Sequence, residues 1–302
     1  MGVTAQTAGP PRGPFAPDDA AAYTRWRDAK LAHLPARPDD LLVELADPRA
    51  VTAAERAALA ERCRRHNMAL FVGPVVADGT RDWLRAFART FGLDDLDSNM
   101  LADEDGISPL TVAADGPRRA YIPYTDRPLS WHTDGYYNPL HRPVRGLVLY
   151  TVQDAAEGGE NALLDHELAY IALRDADPGH IAALSQPDAM TIPPNAEPGQ
   201  PPRPAQPGPV FSVDPLTGAL HMRYTARVRH VVWKDDPAVT AAVAALNGLL
   251  NGGCPWVLRH RMAPGQGLLC NNVLHNRTGF RDAPDRTRLV YRARFHDRVS
   301  AA

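Results

Sequence analysis

The segment Ser130-Trp131-His132-Thr133-Asp134-Gly135 sets an imidazole and a carboxylate two residues apart. Alternate side chains of an extended strand share a face, so His132 and Asp134 can converge on one cation. A chain of this composition contains about one His-x-Asp triplet by chance. The pair alone therefore reads first as an ordinary strand surface, and a metal reading needs a third ligand. Two histidines and one carboxylate leave adjacent positions on Fe(II) open for a bidentate cosubstrate and dioxygen. The second histidine must come from elsewhere in the chain. His33 and His66 fall in helical surface patterns, His166 stands at a helix start beside Asp165, and His180 sits on a polar turn. His141, His221, His230, His260 and His296 have no supporting pattern. His275 differs, because Pro264-Gly265-Gln266-Gly267 is a tight turn feeding an apolar strand that emerges at His275.

The elements that must position these groups belong to an ordinary globular chain. Its 302 residues, 44% of them hydrophobic, suffice for a sizeable core in one or two domains. The formal charge of −2 provides no global attraction for nucleic acid. No apolar stretch is long enough to cross a bilayer, and residues 1–14 lack the cationic and apolar regions of a secretory signal. Cys63, Cys254 and Cys270 are odd in number and form no CxxC pair, which points away from disulfides or thiolate zinc and toward a reducing cytoplasm.

Proline, at 29 residues, divides the chain. Residues 1–17 read as a flexible tail and 18–302 as a single domain. Helices are expected from Asp18 or Asp19 to Leu34, from the capping box Thr52-Ala53-Ala54-Glu55 toward His66, and over 78–91. Short strands are expected at 40–45 and 68–73. From Tyr121 onward the texture is β-rich, with strands over 146–152, 191–192, 210–213, 219–224, 228–233, 256–262, 267–273 and 288–295. The expectation is an α+β fold on a β-sandwich or barrel, its helices mostly N-terminal. The proline-rich stretch 187–209 cannot be a central strand and reads as a surface loop or a lid.

Four blocks, in order, give the sequence a specific likeness. They are Tyr124–Tyr137, Glu157-Gly158-Gly159-Glu160-Asn161, Asn271–Phe280 and Arg288-Leu289-Val290-Tyr291-Arg292. Together the chain resembles the taurine dioxygenase superfamily of Fe(II)/2-oxoglutarate-dependent oxygenases, to which γ-butyrobetaine hydroxylase and clavaminate synthase also belong. The resemblance implies a double-stranded β-helix (jelly-roll) core, Fe(II) as metal, and 2-oxoglutarate and dioxygen as cosubstrates. It places the metal ligands, the catalytic centre, at His132, Asp134 and His275, and the cosubstrate arginine at Arg288.

A 2-oxoglutarate held on the metal by its 2-oxo acid end leaves a second carboxylate to bury, and a guanidinium is the permanently charged, bidentate partner for it. Arg288, Val290 and Arg292 share one strand face, so Arg292 can also look inward, toward the cosubstrate or an anionic group of the substrate. The competing reading is a charged edge strand, with Arg286, Arg294 and Arg298 nearby. Asn161 stands where the family commonly has Thr or Ser, and its amide can donate the same hydrogen bond. Asn271 stands where relatives often have Asp, as an orienting group.

Related halogenases replace the carboxylate at position 134; this chain keeps it, which implies hydroxylation or a related C–H oxidation, with 2-oxoglutarate converted to succinate and CO2. Candidate substrate contacts are Tyr124, Tyr136, Tyr137, Arg223, Arg227 and Arg292. Strand alternation over 221–229 puts Met222, Tyr224, Ala226 and Val228 in the core and Arg223, Arg227 and Arg229 on the opposite face. The arginines suggest a small carboxylate-bearing or amino-acid-like substrate. Two other readings stay open: a mononuclear metal hydrolase using the same three ligands, and a non-catalytic binding protein on an oxygenase-like fold. Homo-oligomerisation stays open as well.

Overall fold

The computed structural model describes residues 13–76, 81–98, 103, 105–195 and 202–300. Two β-sheets face each other, and each outer face is covered by helices. The larger sheet runs Leu42–Glu44, Met68–Val72, Gln266–Cys270, Gly146–Gln153, Leu289–Phe295, Ser108–Leu110. Only its first pair is parallel, and the Ala53–His66 helix makes the required crossover. That helix begins with the expected capping box: Thr52 accepts from the Glu55 amide, and Glu55 accepts from Thr52. It ends at Asn67 in the left-handed region. The smaller sheet runs Leu258–His260, Asn161–Leu164, Leu274–Arg277, Leu129–His132, antiparallel throughout.

Side-chain alternation assigns each strand two faces. Leu147, Leu149, Leu268 and Val290 from the large sheet meet Leu163 and Leu258 from the small one in a cluster between the sheets. Val148, Tyr150, Leu269, Ala293 and Phe295 point outward, onto the helices Ala53–His66 and Asp82–Arg89. On the far side, Trp131, Ala162, Leu164 and Leu274 pack against the helices His166–Ala176, Pro178–Leu184 and Pro237–Asn251, joined by Tyr23 from Ala20–Leu31. The even residues Val290, Arg292 and Arg294 therefore point into the space between the sheets, as do His132 and His275.

Several expectations change. Among the described residues three of six helices lie beyond residue 165, so the helices are not mostly N-terminal. Two of these carry plain start signals, Asp177 before Pro178 and Asp236 before Pro237, with the Asp side chain accepting a first-turn amide each time. The segment 228–233 is a short 3-10 turn and a two-residue strand, and Val228 is exposed rather than core. The Leu289–Phe295 strand lies inside the sheet and not at an edge. Of the tail, residues 1–12 lie outside the described residues, whereas Phe15 packs edge-on against Trp26 at 4.9 Å and Arg174 donates to the Pro14 carbonyl.

The proline-rich segment is a hairpin. Met190–Ile192 pairs with Gln206–Gly208, and Asn195 and Arg203 exchange two 2.9 Å backbone hydrogen bonds. Met190–Ile192 is the middle strand of a three-stranded sheet completed by Val232–Trp233, while Pro207 sits on its outer strand, where a missing donor costs nothing. Residues 196–201 lie outside the described residues. Among the described residues no helix is long and apolar enough to cross a membrane.

Candidate active site

His132 and His275 are cross-strand neighbours in register, with ring centroids 4.2 Å apart. Each ring has Nδ1 at 2.9 Å from the carbonyl two residues earlier, Ser130 for His132 and Val273 for His275. A carbonyl only accepts, so Nδ1 carries the hydrogen and the Nε2 lone pair is left for a metal. Burial pushes the His275 imidazole down to about 4, with His132 adding to the effect, which keeps it neutral.

The strand ends at His132, so Asp134 reaches the same space from a turn rather than from the strand itself. Thr133 is fixed through its amide to the Tyr224 carbonyl and through its hydroxyl to the Tyr224 amide, each 3.0 Å. Gly135 follows at φ 67°, where an added Cβ would meet Val144 at 2.4 Å, so only glycine fits. One ligand atom from each of His132, Asp134 and His275 lies within 4.8 Å of the others, and all three residues are buried. Burial opposes charge on Asp134, but the Arg292 guanidinium, with Nη1 at 3.2 and 3.4 Å, holds the carboxyl well below its usual range; His132, Arg294 and His275 assist.

Arg288 and Arg277 lie over the Phe280 ring, 5.1 and 4.7 Å from its centroid. Arg277 donates to the carbonyls of Thr125 and Arg127. Arg288 is 6% exposed, and its Nη1 has no hydrogen-bond partner. Burial lowers Arg288 to about 10, and burial plus the Arg288 charge lowers Arg277 to about 9. Neither forms an ion pair among the described residues, so this region favours an anion. Gly159, Asn161 and Val290 line the same small cavity as Arg288. The Asn161 amide donates one hydrogen bond, to the Asn276 carbonyl at 3.1 Å.

The substrate candidates separate. Tyr124 is buried in the cluster between the sheets, beneath the Arg118 guanidinium at 5.2 Å. Tyr136 and Tyr137 pack edge-on at 5.3 Å. The Tyr136 phenol meets Arg227 and Thr225, and the Tyr137 phenol accepts from Arg294 at 2.8 Å. The Arg223 guanidinium donates to the carbonyls of Tyr136, Met190 and Gln206 and so holds backbone in place, and the residue lines a cavity with Asp134 and Tyr136.

Three positioning residues escape the sequence reading. Arg294 is buried, pairs with Asp97 at 2.5 Å, and continues the same-face series of Arg288, Val290 and Arg292. Asn272, at φ 51°, holds the backbone of Asp134, whereas its neighbour Asn271 bonds Asn67 and the Val299 amide. Arg277 is the third; its place two residues after His275, on the same face, is the signal that points to it.

A buried His–Asp–His centre between two sheets, with an unpaired buried arginine beside it, defines a class: metal-dependent enzymes that also hold an anionic cosubstrate. The sequence matches the taurine catabolism dioxygenase TauD, TfdA family over residues 29–294, and the chain belongs to that family. It is therefore an Fe(II)/2-oxoglutarate-dependent dioxygenase, an oxidoreductase that uses Fe(II), 2-oxoglutarate and dioxygen. Solved structures share its fold. An asparagine oxygenase in complex with Fe(II), 2S,3S-3-hydroxyasparagine and succinate is 15% identical with a TM-score of 0.59, covering 92% of this chain and 85% of that one. The non-heme iron oxygenase OrfP in complex with Fe is 17% identical, TM-score 0.57, covering 83% and 80%. A taurine dioxygenase from Burkholderia xenovorans is 16% identical, TM-score 0.57, covering 87% and 88%. No curated protein matches the sequence.

The donor set fits these groups. Two imidazoles, each held by Nδ1 on a backbone carbonyl, and one ionised carboxylate suit Fe(II), and the unpartnered Arg288 Nη1 suits a buried carboxylate.

Proposed function

We propose that the protein hydroxylates, or otherwise oxidises, an unactivated C–H bond of a small carboxylate-bearing or amino-acid-like substrate, with conversion of 2-oxoglutarate to succinate and CO2. His132, Asp134 and His275 hold the iron, and Arg288 holds the distal carboxylate of 2-oxoglutarate, with Asn161 and Arg277 shaping that end. The two facing sheets form the double-stranded β-helix of this reading. The observation that carries it is the pairing of a preset His–Asp–His centre with a buried arginine that lacks an anionic partner. Iron and 2-oxoglutarate supply the oxidising power when bound with dioxygen. The chain's own part is to fix ligand geometry and exclude water. The Nδ1 hydrogen bonds to Ser130 and Val273 keep the imidazoles from rotating, Asn272 fixes the Asp134 backbone, and Arg292 balances the Asp134 charge.

Tyr136, Tyr137, Arg227 and Arg292 are the substrate-facing groups of this reading, supported by their position around Asp134. Its location is a reducing compartment, the cytoplasm, supported by three free cysteines, Cys63, Cys254 and Cys270. A hydrolase would have no use for a buried arginine at Arg288.

Anaerobic titration of the apoprotein with Fe(II) and 2-oxoglutarate tests the assignment. Chelation through the 2-oxo acid produces a visible metal-to-ligand charge-transfer band, expected in wild type, absent in His275→Ala and shifted to higher 2-oxoglutarate concentration in Arg288→Ala. Folded, metal-replete wild type without the band overturns the reading.

A further inference from the structure

The proline-rich hairpin is joined to the active site by one residue. Arg223 donates to Tyr136 O at 2.7 Å, to Met190 O at 3.1 Å and to Gln206 O at 2.6 Å. One guanidinium thus ties both hairpin strands to the main chain two residues beyond Asp134. The fork is itself buried, with Arg223 5% exposed, so the connection is shielded from competing water. Whatever the hairpin carries toward the site is set in place by this contact.

It carries Arg203. The Arg203 backbone is fixed by its exchange with Asn195, and Nη2 donates to the Pro193 carbonyl at 2.8 Å. Nη1 is buried and has no hydrogen-bond partner, and among the described residues no carboxylate forms an ion pair with Arg203. The groups that bear on its charge are the Tyr136 and Tyr137 phenols, while burial lowers its affinity for the proton. Arg227 already meets the Tyr136 hydroxyl, and Arg294 the Tyr137 hydroxyl. Three guanidiniums therefore gather at two phenols. Arg294 alone has a carboxylate, Asp97.

We propose that Arg203 binds a carboxylate of the substrate at the Tyr136–Tyr137 pair, making the proline-rich hairpin a specificity element. The proposal deepens the oxygenase reading and rests on it. A guanidinium with a buried, open donor can donate a charge-assisted hydrogen bond to a carboxylate. A neutral carboxamide in the same place leaves the charge uncompensated.

The test uses full-length protein with Mn(II) and 2-oxoglutarate, which prevents turnover, and titrates the standard L-amino acids and their primary amides, following melting temperature and then calorimetric affinity. Variants are Arg203→Ala, Arg203→Lys and, as a control, the exposed Arg229→Ala. The expected result is at least one acid bound about tenfold to a hundredfold more weakly by Arg203→Ala than by wild type. Its amide is bound equally by both, Arg203→Lys recovers part of the loss, and Arg229→Ala matches wild type. The proposal is overturned if no acid distinguishes wild type from Arg203→Ala, if acid and amide weaken together, or if Arg229→Ala shows the same loss. Binding of 2-oxoglutarate is measured first. If wild type fails to bind it, the oxygenase reading falls on its own, and the same acid–amide comparison on the Mn(II) protein still decides whether Arg203 is an anion site.

Discussion

Asn272 grips Asp134 from both sides of its peptide: its Oδ1 accepts from the Asp134 amide at 2.8 Å, and its Nδ2 donates to the Asp134 carbonyl at 2.9 Å. The same Nδ2 donates to Val144 O at 2.7 Å, and the residue is 2% exposed. Asn272→Ala leaves three buried backbone groups unpaired and puts alanine in a left-handed conformation that asparagine tolerates better. The expected loss is about 3 kcal/mol of stability. Fe(II) affinity should fall about tenfold or more, as for other groups that orient a ligand. Urea denaturation and anaerobic metal titration measure the two. An unchanged Fe(II) affinity would show that the grip is structural only.

Arg292 is the counter-charge of Asp134 in the absence of metal. Arg292→Met removes the main partner of a buried carboxylate, leaving Arg294 and the two histidines to balance it, a change that costs up to about 3–5 kcal/mol. Fe(II) supplies a replacement positive charge, so the variant should be rescued by metal to a greater extent than wild type. Melting curves with and without Fe(II), run anaerobically, read the difference. Equal metal stabilisation of both proteins would contradict the electrostatic role.

Arg288→Ala should separate binding from folding. Loss of a charged hydrogen bond of about 1.5–3 kcal/mol raises the 2-oxoglutarate KM about tenfold to a hundredfold. The apoprotein should lose little or no stability, because the change removes a buried guanidinium that lacks an anion. Steady-state kinetics and denaturant melts report the two quantities. A large stability loss with an unchanged KM would assign Arg288 to the core.

Acid sensitivity should begin above the carboxylate range. Burial holds His166 below its usual value, and pushes His221 down to about 3, with His166 the next contributor. The unfolded chain takes up these protons near pH 6.5 and the folded chain does not. Stability is therefore full above about pH 6.5 and declines as the pH falls toward the folded values. The urea midpoint should drop between pH 7 and 5 in wild type and drop less in a His166→Gln, His221→Gln double variant. Parallel profiles would remove these histidines from the account.

The parts of the site legible in the sequence are those that local spacing encodes. His132 and Asp134 lie two apart, and His275 follows a recognisable turn and strand. Alternation brings Arg288 and Arg292 to one face. It carries on to Arg294, but a run of arginines resembles an edge strand and hides that residue's inward role. The strand is covered on both sides, and that depends on pairing with Gly146–Gln153 and Ser108–Leu110, which no local pattern reveals. The partners of Arg223 are hidden for a similar reason. Alternation assumes a continuing strand, but this one stops at Met222, and the guanidinium turns to three carbonyls from two distant segments. The role expected near Asn271 belongs to Asn272, because a left-handed backbone at that residue decides which of two adjacent amides meets Asp134.

The two sides of the Asp134 grip are 138 residues apart in sequence, and the counter-charge from Arg292 comes 158 residues after Asp134. Contacts so remote form slowly, because loop closure precedes any return from packing. During synthesis the His132–Asp134 half emerges long before His275, Asn272 or Arg292 exists to complete it. Ordered iron capture thus waits for the strands Leu274–Arg277 and Leu289–Phe295. A polypeptide made only as far as residue 274 lacks the third ligand, and with it the means to run oxidative chemistry on itself.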